Sequence, residues 1–174
     1  MPFKKGAEMR FFENYEENLI SVKSKSNHIT SLSGKKAEYL PFHNQKYKIV
    51  LSAILEKVDI KDYATTSTDD AREALINQDM EGFGRILNKS TDIFLKKCRA
   101  KKSRKLYFAA KELGDSLGNG ILPSGGIFSI VENSRVDTFI HNLGSACEKY
   151  YGDKPKFYIT EAEDSGNTLP LPEE

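Results

Sequence analysis

The chain has 174 residues, which suffices for one domain with a sizeable core. Its 26 Lys and Arg residues balance 25 Asp and Glu residues, which argues against a general binder of nucleic acid or of anionic membranes. Two widely separated cysteines, Cys98 and Cys147, give neither a disulfide framework nor the spacing of metal ligands. The charged N-terminus has no apolar stretch typical of a signal peptide, and no apolar run reaches the roughly 20 residues of a membrane span. We therefore expect a cytoplasmic protein without membrane contact.

The first third of the chain gives few strong signals. Apolar residues near helical spacing predict a short helix over 8–20, and a polar stretch with a turn at Gly34 and Lys35 follows. Strands are predicted over 37–40, closed by Pro41, and over 48–52, where the centre is β-branched and apolar. Residues 53–66 favour no element.

Helical signals dominate the middle of the chain. Ser67 or Thr68 is predicted to cap a first helix, and Asp79 a second one. The apolar face of the second helix comprises Met80, Phe83, Leu87 and Phe94. Gly82 and Gly84 lie within that helix and indicate close approach of a neighbouring element. A third helix is predicted over 103–113, with Gly114 as its C-cap.

The last third begins with a predicted glycine-rich loop over 118–126 that leads directly into a strand. A helix capped by Asn133 or Ser134 follows and ends at Gly152, and a strand over 155–160 closes the domain. This order predicts an α+β fold with an antiparallel sheet and helices on one face. The closing strand–helix–strand unit is one half of a ferredoxin-like fold.

Three stretches of the second half resemble the C-terminal half of galactokinases, in the GHMP superfamily of small-molecule kinases. Residues 77–90, NQDMEGFGRILNKS, are similar to a family helix with the pattern G-D-x-x-x-F-G-x-L-M-x-x-S-H. Residues 124–131, SGGIFSIV, stand where the family has M-T-G-G-G-F-G-G before a strand, and residues 154–161, KPKFYITE, resemble its closing K-P-x-F-Y-V strand. Weaker similarity extends to residues 38–41 and 47–51, so the resemblance is collinear over about residues 35–166.

The resemblance implies a ferredoxin-like C-terminal GHMP domain over 36–166, preceded by an arm or partial element over 1–35 and followed by a flexible tail over 167–174. It also implies ATP and Mg²⁺ as cofactors of the complete enzyme and phosphorylation of a sugar hydroxyl as its reaction. The sugar-recognition signature, the ATP phosphate loop and the catalytic Asp–Arg pair of the family's first half have no counterpart in this sequence. We therefore name no catalytic and no metal-binding residue, and we expect the chain to be inactive alone.

The glycine pair is the candidate phosphate loop. Glycines let backbone N–H groups approach phosphates closely, so Ser124, Gly125 and Gly126 could form one wall of a nucleotide site. Phe128 and Ser129 replace the last two glycines of the family motif, and Pro123 replaces a threonine. A tight turn before a buried strand is the favoured reading of the same residues.

A basic run over 96–105 is the other candidate site, with Lys101, Lys102 and Arg104 as a candidate anion patch. Aromatic residues are not interleaved with it, so a solvated helix junction is favoured over nucleic-acid contact. Three functions remain open: a kinase half that works with a separate N-terminal half, a non-catalytic relative that binds a sugar, nucleotide or protein, and, as the least favoured, a nucleic-acid accessory domain.

Overall fold

The computed structural model describes residues 28–33, 36–41, 46–59, 68–152 and 154–160. The elements in chain order are β1 (His28–Ser33), β2 (Lys36–Pro41), β3 (Tyr47–Ala53), α1 (Thr68–Ile76), α2 (Met80–Leu95), α3 (Lys101–Leu113), β4 (Gly118–Ile121), β5 (Gly126–Glu132), α4 (Val136–Tyr151) and β6 (Lys156–Thr160). The helix predicted over 8–20, the turn at 34–35 and the tail lie outside the described residues.

Four strands form an antiparallel sheet in the order β4-β5-β3-β6. The apolar, β-branched strand β3 lies inside this sheet, where Val50 pairs with Ser129 on one side and Ile159 on the other. The predicted α+β class with an antiparallel sheet is confirmed. The two strands of the closing strand–helix–strand unit, β5 and β6, flank the same strand, as a ferredoxin-like half requires.

Two strands, β1 and β4, were not predicted from the sequence. Strand β1 pairs with β2 in a separate antiparallel sheet, although the polar sequence HITSLS has no period of two. Strand β4 lies in the segment predicted as a glycine loop. There the glycines serve packing, because a Cβ at Gly120 would collide with the ring of Phe128 and a Cβ at Gly118 would collide with the backbone of Gly84. The predicted close approach at Gly84 is confirmed by this contact.

The side chains of the sheet divide between two core clusters. Since successive strand residues point to opposite faces, Ile49 and Leu51 belong to one cluster and Val50 to the other. The first cluster is completed by α1 and the first half of α2, and the second by α3, α4 and the end of α2. Helices therefore cover both faces of the sheet and not one face as predicted, with α3 and α4 on one of them. The helix α1 and the start of α2 cover the opposite face, because α1 and α2 carry their own apolar stripes.

Most predicted helix ends are confirmed. The Asp79 side chain accepts a hydrogen bond from the backbone N–H of Gly82 at 2.9 Å, and Gly114 and Gly152 end their helices in the left-handed region at φ 71° and 79°. The predicted cap at Asn133 or Ser134 is wrong, because these residues form a 3₁₀ turn without a side-chain cap before α4 begins at Val136. Among the described helices, none is long and apolar enough to cross a bilayer.

Candidate functional site

The glycine pair forms a turn that packs against the chain leaving β3. Gly125 and Gly126 have φ values of 104° and 97°, a region that L side chains rarely adopt. A Cβ at Gly125 would collide with the backbone of Ile54 and Glu56, and one at Gly126 with the carbonyl of Ser52. Both glycines are therefore required by the close approach of two backbone segments.

The backbone N–H groups of both glycines have acceptors inside the chain. The N–H of Gly125 donates to the carbonyl of Leu122 at 3.0 Å, and the N–H of Gly126 donates to Ser103 Oγ at 3.0 Å. The side-chain oxygen of Ser124, Oγ, is buried and has no hydrogen-bond partner among the described residues. The two glycine N–H groups are therefore engaged inside the chain and reach a phosphate only if these bonds break, and we assign no step of phosphoryl transfer to the turn.

The start of α3 is held by a carboxylate from a distant segment. Glu56 Oε1 accepts from the backbone N–H of Ser103 at 2.8 Å, and Oε2 accepts from that of Lys102 at 3.0 Å. These N–H groups have no partner within the helix, and the positive end of the helix dipole favours a carboxylate there. Burial by itself would raise the pKa of Glu56, but the hydrogen bonds from Ser103 and Lys102 outweigh it and lower the pKa.

The sequence analysis missed Glu56, which lies in the segment for which it predicted no element. Ser103 connects this carboxylate to the glycine turn, because its N–H donates to Glu56 while its Oγ accepts from Gly126. The two candidate sites of the sequence, the glycine pair and the basic run, thus meet at the first turn of α3. No signal in the sequence indicates a cap supplied from 46 residues away in the chain.

Only part of the predicted anion patch faces solvent. Lys101 and Lys102 are exposed, whereas the Arg104 guanidinium donates through Nη2 to the carbonyl of Leu95 and, at 2.9 Å, to the carbonyl of Cys98. Arg104 therefore satisfies carbonyl groups at the end of α2 and in the following turn, which is a structural role at the helix junction. Of the three residues in the predicted anion patch, Lys101 and Lys102 are therefore the two whose side chains are exposed.

A buried polar network joins α2 to β4 and β5. The side chain of Asn119 is fully buried, and its Oδ1 accepts from Ser129 Oγ at 2.6 Å and from Ser116 Oγ at 3.0 Å. Asn88 Oδ1 accepts from the N–H of Asn119 at 2.8 Å, and Thr91 Oγ1 donates to the carbonyl of Asn119 at 2.9 Å. Each of these bonds is internal, so the network fixes the position of α2 along the sheet edge.

An open groove of about 440 Å³ separates α1 from α2. Its lining combines carboxylates with two cations one helical turn apart, Arg85 and Lys89, and includes the capping Asp79. The described residues contain no group of three His, Cys, Asp or Glu side chains placed to hold a metal ion.

The thiol of Cys147 is buried in the core, as predicted, and burial raises its pKa to about 11.

Comparison with solved structures identifies the fold class. No protein-family model matches the sequence, and no curated protein matches it. Among solved structures, galactokinase from Lactococcus lactis in complex with galactose aligns with 84% of this chain and 54% of its own, at a TM-score of 0.70 and 17% identity. Mevalonate kinase from L. major in complex with R-mevalonate aligns with 78% of this chain and 48% of its own, at a TM-score of 0.51 and 15% identity.

A third structure, homoserine kinase from Cytophaga hutchinsonii, aligns with 75% of this chain and 46% of its own, at a TM-score of 0.50 and 16% identity. The chain thus shares its fold with GHMP kinases, which confirms the resemblance at the level of fold. It spans about half the length of the structures it matches.

Proposed function

We propose that this chain is one half of a galactokinase-like sugar kinase, and that it acts together with a segment that supplies the ATP phosphate loop and the catalytic residues. The observation that carries the proposal is the alignment of 84% of the chain with 54% of L. lactis galactokinase at a TM-score of 0.70. That enzyme was solved with galactose bound, so galactose or a related sugar is the proposed substrate class. ATP and Mg²⁺ follow from the family resemblance alone.

The corner formed by the glycine turn and the chain after β3 is the proposed contact with the other half. Leu55 lies in this corner between Ile54 and Glu56, whose backbone packs on Gly125, and its side chain is 93% exposed. An apolar side chain so fully exposed gains by burial in an interface.

A mixing experiment tests the proposal. The purified chain is combined with candidate N-terminal halves of GHMP kinases, and ADP release is followed with and without galactose. We expect sugar-dependent ADP release only when both parts are present. Leu55→Ser should weaken the association measurably, whereas Ile159→Ser, at another exposed apolar residue on β6, should leave it unchanged.

The second candidate is a non-catalytic relative that binds a ligand or another protein. It is favoured by one observation, namely that the N–H groups of Gly125 and Gly126 are satisfied inside the chain. It predicts a saturable rise in melting temperature with a sugar or a nucleotide for the chain alone. Absence of ADP release in every mixture, together with such a saturable shift, would replace the kinase proposal by this one.

A further inference from the structure

The antiparallel helix pair α3–α4 places exposed aromatic rings beside the basic run, which the sequence alone does not reveal. Lys105 Nζ lies 5.4 Å from the ring centroid of Tyr151, and Lys149 Nζ lies 5.3 Å from that of Tyr150. The two tyrosine rings are neighbours, with centroids 6.5 Å apart and planes inclined by 57°. We call these four side chains the tyrosine–lysine surface.

The rings of this surface contribute little to the core. Tyr150 and Tyr151 are 68% and 44% exposed in the last turn of α4, directly before the helix ends at Gly152. Exposed cation–π pairs are worth only about 0.5–1 kcal/mol each. Stability of the fold therefore does not explain two adjacent tyrosines with this exposure, and a ligand can reach the part of each ring that its lysine leaves uncovered.

Among the residues that the structure describes, the charge around the rings is positive. Lys101 is exposed and lies one helical turn before Lys105, on the same side of α3. The nearest described carboxylate on α4, Glu148, has its own cation, because Lys154 Nζ lies 3.2 Å from its Oε2. A chain with a net charge of only +1 thus has a local cluster of three lysines around two exposed aromatic planes.

We propose that the tyrosine–lysine surface binds single-stranded nucleic acid, with bases stacked on Tyr150 and Tyr151 and phosphates paired with Lys101, Lys105 and Lys149. Stacking platforms combined with cations are the general means of binding single strands without reading their sequence. An acidic peptide would use the lysines but would leave the ring faces without a partner. This inference rests on α3 and α4 alone and does not depend on the proposed kinase role.

Fluorescence anisotropy of a labelled oligothymidylate of 15 nucleotides tests the proposal on the whole chain. Binding at low salt should weaken with rising salt along a double-logarithmic slope of about −2, as three phosphate contacts on a single strand predict. An oligonucleotide of the same length without bases should bind at least about 5-fold more weakly, because stacking is lost.

Variants of the rings give the second arm. The double variant Tyr150→Ser/Tyr151→Ser should lose affinity about 10-fold or more, and Tyr150→Phe/Tyr151→Phe should retain it, because phenyl rings stack equally. Lys105→Ala should reduce the salt slope by about 0.7. Lys89→Ala, at an exposed lysine of the α1–α2 groove, is the matched control without effect. Thermal melting checks that each variant is folded.

Three results would overturn the proposal. The first is no binding of the oligonucleotide at low salt. The second is equal binding of the strands with and without bases. The third is full competition by polyglutamate with no difference between the serine and phenylalanine variants, which would assign the surface to an acidic protein partner.

Discussion

Replacement of Glu56 by alanine tests whether the distant carboxylate is what holds the first turn of α3. The substitution removes both acceptors of the N–H groups of Lys102 and Ser103, which lie at 3.0 and 2.8 Å. It also removes the hydrogen bond between Glu56 and the Ser103 side chain, whose Oγ accepts from the N–H of Gly126. One carboxylate therefore couples the helix, the glycine turn and the chain leaving β3.

The expected loss follows from known values for helix caps and charged hydrogen bonds. Removal of an N-cap acceptor costs about 0.5–2 kcal/mol, and hydrogen bonds to a charged group are worth about 1.5–3 kcal/mol. Because Glu56 is only partly buried and water competes for its oxygens, we take the range that the two values share and expect Glu56→Ala to lower the free energy of unfolding by about 1.5–2 kcal/mol. For a chain of this size the melting temperature should fall by about 3–8 °C. Urea unfolding followed by circular dichroism measures the free energy of unfolding, and a thermal scan measures the melting temperature.

Glu56→Gln removes the charge and one of the two acceptor oxygens, and the pH dependence of its effect reports the contribution of the charge. The pKa of Glu56 is lowered in the folded state, so its charge stabilises the fold above the unfolded-state pKa, and this stabilisation is lost as pH falls through the folded-state pKa. The wild type should exceed Glu56→Gln in stability at pH 7, and the difference should shrink at pH values below about 4.5. Glu112→Gln, at an exposed residue of α3, is the control. The reasoning is refuted if Glu56→Ala unfolds at the wild-type urea concentration at pH 7, or if the difference to Glu56→Gln is the same at pH 3.5 and pH 7.

Three further predictions concern single residues. Gly126→Ala should lower the free energy of unfolding by about 2 kcal/mol or more, because its φ of 97° and the contact with the Ser52 carbonyl both oppose a Cβ. Gly114→Ala, at φ 71° in open space, should lower it by about 1 kcal/mol. Equal losses in urea unfolding would contradict a contribution from the contact. Arg104→Ala should cost about 2 kcal/mol through its lost carbonyl partners, and a melting temperature equal to that of the wild type would show that these bonds contribute nothing. A thiol reagent at about pH 8 should label Cys98 first and reach Cys147 only after unfolding, because burial raises the pKa of Cys147 to about 11. Labelling of both thiols at one rate in the native protein would contradict the burial of Cys147.

The elements that the sequence predicted correctly are those whose signals are local. Asp79 caps α2 because a short polar side chain can reach an N–H three residues away, and the apolar face that follows it repeats with the helical period. Gly114 and Gly152 end their helices by their own backbone conformation. Such features need no knowledge of which segments meet in the folded chain.

The elements that the sequence missed depend on contacts between distant segments. Gly118 and Gly120 predict a loop by composition, yet both lie in a strand. Glycine is needed at these strand positions because Gly84 and Phe128 occupy the space that a side chain would take. The Glu56 cap and the carbonyl partners of Arg104 are equally nonlocal. The candidate site shows the same limit, since the glycine pair and the basic run were recognised separately and their link through Ser103 was not.

The hydrogen bonds that the glycine turn makes inside the chain restrict how a complete kinase could be divided between two parts. Nucleotide phosphates need several converging donors, but the N–H groups of Gly125 and Gly126 already donate to Leu122 and Ser103. The phosphate donors of the proposed kinase are therefore groups other than these two, or the Ser103 bond must break when the halves join. The second route predicts that Ser103→Ala, which removes the competing acceptor, accelerates ADP release by the reconstituted enzyme, whereas the first predicts no gain.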